Sequence, residues 1–594
     1  MDTTPTTTPT SRACANNDVA ILAWNPGGPI ANCLGFCVQR VDVNTGTTTT
    51  LPSWVGFAGD RDSLPKILPD GRTQRTQKTT DIWPIQKFIW RDLEAKAGGT
   101  YRYVITAMIK DGGNSLIKGS WTSTTNPVTL NPVVSDNLAC YFNRGILSTQ
   151  ALTEVIPLVK NKQGQMVRDP GALRKHLTQS GDPMRAQLGG ALIAALQIPI
   201  ARAEATGGSC YAALYELNDP DLVPVLKTPT MNLILSEAGV ADDTNKQSRA
   251  DLHANGNLHS LQDRFMPKGH IGHNKFVVCV DPQGNPEAVL TGSTNWTFTG
   301  TCGQSNNAIL IRDAGLAAVY KDYWDRLLQD TPVANTQPTP KGSLSLGPQK
   351  AGFRAANAKT PQDFSIDGST VRVWFSPNAS VYEKTSTSPK SAVDINDVET
   401  LIAGAQQGIL FLAFEPGAPS IVDAIAKAKQ ANAALFVRGA ATSGTVATGF
   451  DTSLYHRDTN TPDLVVTATE IRDDFDYWTK ELLTLGFAVI HDKICVIDPF
   501  SDNCVVVVGS HNLGLRASTN NDENLLIIRG HRALAAAYAT HVMDVYDHYR
   551  WRFQLQKNPK DPNAAFAGLD PTAGWQQKYF TVAGEPTEEV KFWI

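Results

Sequence analysis

The chain has 594 residues, 42% of them hydrophobic and 19% charged, with a formal net charge of −4. That is the balance of an ordinary globular protein too long for a single hydrophobic core. It excludes a global basic field for collecting nucleic acid and leaves only a local groove for that purpose. No apolar run reaches the ~18 residues of a membrane span. The longest, 191–203, is broken by Gln197, Pro199 and Arg202 and reads as a packed helix. The opening MDTTPTTTPTSR has neither a basic nor an apolar signal region, so residues 1–17 are expected to be a flexible tail without a secretory leader. Localisation is left open on this reading, with leaderless export as one route. Nine cysteines, an odd number spread over a long chain, do not make a disulfide scaffold. Cys33 with Cys37 and Cys210 with Cys302 are the candidate pairs. Cys279 and Cys495 lie inside apolar strands and read as buried thiols. No Cys or His cluster has ligand spacing, so no metal or other cofactor is expected.

In chain order, residues 18–130 carry short alternating segments separated by Gly, Pro and Asn turns, such as Val19-Ala-Ile-Leu-Ala-Trp24 and Tyr101-Arg-Tyr103-Val-Ile-Thr-Ala107. This is an all-β pattern. The early tryptophan and late Tyr-x-Tyr strand resemble a fibronectin type III or immunoglobulin-like sandwich. Trp24, Trp54, Trp83, Trp90 and Trp121 are read as its core rather than as a ligand surface. Two α/β regions follow, 131–330 and 364–555, joined by a Pro- and Thr-rich linker over 331–363; a C-terminal extension covers 556–594. The two regions repeat one order of elements. Each opens on a strand bearing aromatics and an asparagine (Cys140-Tyr-Phe-Asn143; Val373-Trp-Phe-Ser-Pro-Asn378). A helix and two buried strands come next, and a helix closes each region. Such alternation predicts two α/β lobes, each a mostly parallel sheet flanked by helices, related by a pseudo-twofold axis.

Each lobe also carries the same polar signature. Lobe one reads His273-Asn-Lys275, then Asp281, then Gly292-Ser293-Thr-Asn295; lobe two reads His491-Asp-Lys493, then Asp498, then Gly509-Ser510-His-Asn512. The histidines lie about 220 residues apart, and the step from histidine to serine is 20 residues in one copy and 19 in the other. Alone, a His-x-Lys is usually a solvated strand end and a Gly-Ser-x-Asn a turn. Repeated together, they supply what a phosphodiester needs. Two ammoniums and two amides neutralise the non-bridging oxygens, one imidazole attacks phosphorus, and the other protonates the leaving alcohol. This doubled signature resembles the phospholipase D superfamily. The resemblance implies a metal-independent phosphodiesterase with a phosphohistidine intermediate. Its catalytic residues would be His273, Lys275, Ser293 and Asn295 from lobe one, with His491, Lys493, Ser510 and Asn512 from lobe two. Both half-sites lie on one chain, so a monomer suffices.

The lobes differ in two places. Lys275 and Asp281 are separated by five residues, Lys493 and Asp498 by four. A bulge is expected to absorb the extra residue and keep Asp281 equivalent to Asp498, both as structural caps of their strands. The resemblance also implies an acidic residue about thirty positions after each histidine, bonded to its ring. Lobe two offers Glu523, and lobe one has Asn306 at the matching place. Read within each lobe, this pairs His491 with Glu523 as general acid and base, and leaves His273 with the lower pKa as nucleophile.

For the substrate, the acidic balance, the single-chain duplication and the accessory sandwich favour a glycerophospholipid at a membrane surface, hydrolysed or transphosphatidylated. Trp296 and Phe298 are candidates for the apolar entrance. The alternative is a nuclease or nucleotide phosphodiesterase, because Gly-Ser-Thr-Asn-Trp-Thr297 is similar to the turn of bacterial nucleases in this superfamily and aromatics can stack bases. Arg144, Lys160, Lys162, Arg168, Arg174 and Lys175 are interspersed with acids and read as a solvated face. A non-catalytic phosphate-binding protein is the third reading, disfavoured because all eight signature side chains are present.

Overall fold

The computed structural model describes residues 10–63, 66–67, 73–74, 76–113, 115–145, 156–160, 166–237, 244–267, 269–331, 348–381, 391–417, 419–442, 465–467, 490–556 and 568–594. It divides into two units, Met1–Asn131 with Gln554–Ile594, and Pro132–Phe553.

The first unit is all-β. Ser11–Ala15, Ala20–Trp24 and Ile89–Asp92 form one antiparallel sheet, and Cys33–Asp42 and Thr100–Lys110 are central to a five-stranded one. Ser11–Ala15 was expected in the tail; its pairing with Ala20–Trp24 makes it a strand instead. Trp24, Phe36 and Phe88 fill the core with edge-to-face ring contacts, and Tyr103 is buried with them. Trp83 is buried and Trp90 and Trp121 pack on that core, while Trp54 is 39% exposed. The C-terminal segment, expected as a separate extension, completes this unit. Trp575, Tyr579 and Phe580 join the core, and Trp575 Nε1 donates to Cys33 O at 2.9 Å. Gln86 and Asp570 exchange two hydrogen bonds at 2.8 and 2.9 Å. The aromatic content of the tail supplies apolar area that the small sheets alone do not bury.

The second unit holds the two lobes. Lobe one has strands β1 (Leu138–Phe142), β2 (Ser209–Leu214), β3 (Met231–Glu237), β4 (Ser260–Phe265), β5 (Lys275–Val280), β6 (Pro286–Gly292) and β7 (Asn307–Ile311), in the order β1-β7-β6-β5-β2-β3-β4. Lobe two has β8 (Asp363–Ile366), β9 (Ser369–Ser376), β10 (Gly408–Ala413), β11 (Phe436–Ala441), β12 (Val465–Thr467), β13 (Ile494–Ile497), β14 (Val505–Gly509) and β15 (Glu523–Arg529). Its order is β8-β9-β15-β14-β13-β10-β11-β12, so apart from the added edge strand β8 the two sheets correspond strand for strand. The sheets are mixed rather than mostly parallel. Pairs β2–β3, β3–β4, β10–β11 and β11–β12 are parallel. Every pair touching the signature strands β5, β6, β13 and β14 is antiparallel. The short turns after Asp281 and Asp498 explain this, since a few residues close a hairpin but not a parallel crossover.

β-branched runs such as Val505-Val-Val-Val508 are buried on both faces, covered by helices such as α1 (Leu192–Thr206), α2 (Ala314–Asp330) and α3 (Val393–Ala403). Pro199 sits inside α1 and is buried with it. Among the described residues no single helix is long and apolar enough to cross a membrane. The expected bulge exists: the β5–β6 register shifts between Cys279 and Val280. All nine cysteines are buried free thiols, so neither candidate disulfide forms. Cys33 and Cys37 lie four residues apart on one strand, about 13 Å and beyond the reach of a disulfide. Part of the expected linker, 332–347, lies outside the described residues, as does Lys162; the rest of the linker includes the helix Ala351–Asn357.

The lobes are joined by a buried ion pair. Arg264, at the end of β4, bonds Asp522 of lobe two at 2.8 Å and Asp330 at 2.9 Å, with all three carriers nearly or fully inaccessible. Arg264→Met is therefore expected to leave two buried carboxylates unpaired and to destabilise this unit by about 3–5 kcal/mol, read as a lowered thermal midpoint.

Candidate active site

The signature strands deliver the site residues to one place because the sheets face each other at the same strand ends. His273 and Lys275 stand at the start of β5, His491 and Lys493 just before β13, and the Gly-Ser turns at the ends of β6 and β14. Both turns demand glycine. Gly292 and Gly509 have φ of 153° and 142°, and a Cβ on either would lie 2.3 Å from a carbonyl oxygen, of Asn307 and Asn524 respectively.

The two imidazoles meet with ring centroids 6.2 Å apart and planes at 70°. Each is held from behind by the opposite lobe. His273 Nδ1 bonds the Glu523 carboxylate at 2.9 and 3.0 Å, and His491 Nδ1 bonds Asn306 Oδ1 at 2.9 Å. Asn306 Nδ2 donates to Gly300 O at 2.8 Å, which turns Oδ1 toward the ring and makes it the acceptor. In both histidines Nδ1 thus carries the hydrogen, which leaves the lone pair of the neutral ring on Nε2.

This overturns the pairing expected within each lobe. Glu523 begins β15, which is separated from β13 by β14, so two inter-strand spacings, about 10 Å, keep it from His491. It reaches across the interface to His273 instead, and Asn306 reaches His491 in the same way. The crossing is stitched by the neighbouring residues. Asp522 N donates to Ile271 O at 2.9 Å and His491 N to Ser305 O at 3.1 Å. The middle residue of each His-x-Lys continues it: Asn524 Nδ2 donates to Asn274 at 3.2 Å, and Asn307 Nδ2 to Asp492 at 2.7 Å.

The serines also act from behind. Ser293 Oγ donates to Asn306 Oδ1 at 2.8 Å, Ser510 bonds Glu523, and both hydroxyls are inaccessible. They were expected among the catalytic residues; their side chains orient the groups that orient the histidines. Asp281 and Asp498 are structural, as expected, but in different ways. Asp281 accepts from Gln283 and Asn285 within its own turn, and Asp498 from the backbone of Gln406, Gln407 and Gly408 before β10.

Two lysines, two imidazoles and Glu523 share this dry space. Lys275 Nζ donates to His273 O at 2.7 Å and Lys493 Nζ to His491 O at 2.5 Å. Among the described residues the side-chain Oδ1 atoms of Asn295 and Asn512 have no partner. Burial pushes Lys275 down to about 7, against the pull of Glu523 and Glu216, and pushes Lys493 well below its usual range, helped by Lys275. Burial and the two lysines hold both imidazoles well below 6.5, so they rest neutral. Burial also raises Glu523 to about 7.

The expected substrate-pocket residues are elsewhere. Trp296 is 1% exposed within the lobe-one core, and Phe298 packs with Leu173, Leu177 and Met184. Their place beside a turn does not put them in the cleft, because the chain dives into the core immediately after Asn295. The aromatics that do adjoin the site follow β2 and β10. Tyr215 lies 5.0 Å from the His273 ring and Phe414 4.7 Å from the His491 ring, and the two lysines stand over them at 5.2 and 4.7 Å. Each precedes a glutamate, Glu216 and Glu415. That matched aromatic-acid pair after equivalent strands is the signal by which repetition alone could have found them.

Residues 399–545 match the family model described as cardiolipin synthase, PLD-like domain. The chain thus carries a domain of the phospholipase D superfamily, a superfamily of phosphodiester-acting enzymes. No curated protein matches it. Its fold is similar to that of phosphatidylserine synthase from Haemophilus influenzae Rd KW20 (12% identity, 71% of this chain, 96% of that chain, TM-score 0.40). It is also similar to the phospholipase D family member Nuc from Salmonella typhimurium (18%, 30%, 95%, 0.19) and yeast tyrosyl-DNA phosphodiesterase (10%, 56%, 86%, 0.29).

Two outcomes are expected from this geometry. The profile of kcat/KM against pH should be a narrow bell near pH 7. Its acid limb is expected to follow protonation of Glu523, the partner of His273 Nδ1, and its basic limb loss of the Lys275 charge. Trp296→Ala should lower stability by about 3–5 kcal/mol in a thermal melt while leaving the order of substrate preference intact.

Proposed function

We propose that the protein is a metal-independent phosphodiesterase that forms a phosphohistidine on His273, with a glycerophospholipid diester as substrate and water or an alcohol as acceptor. The crossed pairing of His273 with Glu523 and His491 with Asn306 carries the mechanism. Lys275, Lys493 and the carboxamides of Asn295 and Asn512 hold the non-bridging oxygens. His273 Nε2 attacks phosphorus, and the P–Nε2 bond forms as the bond to the alcohol oxygen breaks. The phosphoimidazolium so formed is cationic, and the Glu523 carboxylate at Nδ1 both enriches Nε2 beforehand and neutralises that charge afterwards. His491, facing only an amide, is the weaker base. Once the bound phosphate offsets the lysine charges, it holds a proton that it gives readily to the departing oxygen. Neutral again, His491 takes a proton from water or an alcohol, which attacks phosphorus and frees His273. The nucleophile is the one favoured from sequence, for the opposite reason: the carboxylate is its partner, not that of His491.

The lipid reading is supported by the description of the matched family model and by Tyr215 and Phe414 beside the reacting groups. It no longer draws on Trp296 and Phe298, and the nuclease alternative loses its stacking residue with them. The test is an assay in excess EDTA on phosphatidylcholine vesicles, single- and double-stranded DNA and bis-p-nitrophenyl phosphate, with acid-stable product analysis and rapid-quench trapping of the phosphoenzyme. Vesicle cleavage without metal, a trapped phosphohistidine in His491→Ala and none in His273→Ala are expected. A metal requirement, or a phosphohistidine persisting in His273→Ala, would overturn the mechanism; cleavage of DNA but not vesicles would overturn the lipid substrate.

A further inference from the structure

Glu216 is an acid placed where the signature does not ask for one. It follows β2, and its Oε2 accepts from Asn295 Nδ2 at 2.5 Å. Its backbone oxygen accepts from Trp296 N at 3.0 Å, so carboxylate and signature turn are fixed to each other from both sides. Among the described residues the other oxygen, Oε1, makes no hydrogen bond. Burial raises the pKa of Glu216 above the usual carboxylate value, against the opposing pull of Lys275, the Asn295 hydrogen bond and Lys493.

Lobe two lacks this arrangement despite the repeat. The corresponding Glu415 is exposed, at a φ of 37°, and makes no hydrogen bond to Asn512. There the turn is tied instead to the following segment, through Ile421 N to Leu513 O at 3.0 Å. The repeated aromatic-acid pair is therefore used differently in the two lobes. Lobe two's Glu523 also lies near the lysines but is taken up by His273 Nδ1, whereas Glu216 is bonded to an amide, Asn295, and to no imidazole.

An acid at a phosphate site costs binding energy unless it discriminates. It repels a second negative charge and attracts a positive one, a repulsive element serving specificity. The Tyr215 ring, adjacent in sequence and beside His273, adds an aromatic wall suited to an ammonium. We propose that Glu216 is a specificity-determining residue: while one carboxylate oxygen orients Asn295, the other faces a positively charged group next to the scissile phosphate, favouring zwitterionic phosphodiesters over substrates with a second negative charge. This rests on the phosphodiesterase reading above.

The test compares wild type with Glu216→Gln, which keeps an oxygen to accept from Asn295. The substrates are p-nitrophenyl phosphorylcholine (zwitterionic), bis-p-nitrophenyl phosphate (a monoanion without a cation) and p-nitrophenyl phosphate (a dianion). Calorimetric binding of phosphorylcholine and of inorganic phosphate is measured in parallel. In Glu216→Gln, kcat/KM for the choline ester is expected to fall about tenfold or more relative to the bis-ester, the disadvantage of the dianion to shrink, and the phosphorylcholine-to-phosphate affinity ratio to drop. Equal falls for all three substrates with an unchanged affinity ratio would overturn the proposal and leave Glu216 an orienting residue. If wild type turns over no substrate, the phosphodiesterase reading fails, and the affinity ratio alone decides on Glu216: a drop supports its role, no change overturns it.

Discussion

Everything at this site depends on hydrogen bonds that cross the lobe interface. Neither histidine is oriented by its own sheet. His273 is held by Glu523 and His491 by Asn306, and the residues on either side of each pair bond across as well. Each lobe contributes one imidazole and the side chain that orients the other lobe's. A lone lobe would expose a half-site whose imidazole is free to rotate. The buried Arg264–Asp522 pair belongs to the same seam, since Asp522 immediately precedes the glutamate that His273 needs.

The second physical fact is burial. Two lysines, two imidazoles and a glutamate lie in a space that water hardly reaches, at 0–3% exposure. Desolvation depresses the lysines and imidazoles and raises the glutamate, so the resting site holds its charges weakly. In the proposed mechanism an arriving phosphate anion reverses the balance. It restores the ammonium charge, allows an imidazolium beside it, and does so where fixed donors act at full strength.

Much of this was legible in the residue order. The doubled His-x-Lys and Gly-Ser-x-Asn signatures, the β-branched strands between them and the matching element order are local patterns, and the lobes follow them. The bulge near Cys279 was legible too, because an extra residue on a paired strand has few other places to go. What stayed hidden depends on the third dimension. Spacing along the chain cannot say that Glu523 lies two strands from its own histidine and beside the other one. Trp296 and Phe298 sit next to a site residue in sequence but enter the core, because the chain turns inward after Asn295. The C-terminal aromatics had no periodic pattern to betray that they complete a β core at the other end of the chain. Glu216 escaped because an acid beside a phosphate site runs against simple charge logic.

The crossed pairing is tested most directly by ¹⁵N NMR of histidine-labelled protein, with the His273 and His491 ring signals assigned through single-residue variants. Replacing Glu523 by Gln should move the Nδ1 resonance of His273 and leave that of His491 in place. A displaced His491 signal with His273 unmoved would contradict the account, because it would return the glutamate to its own lobe.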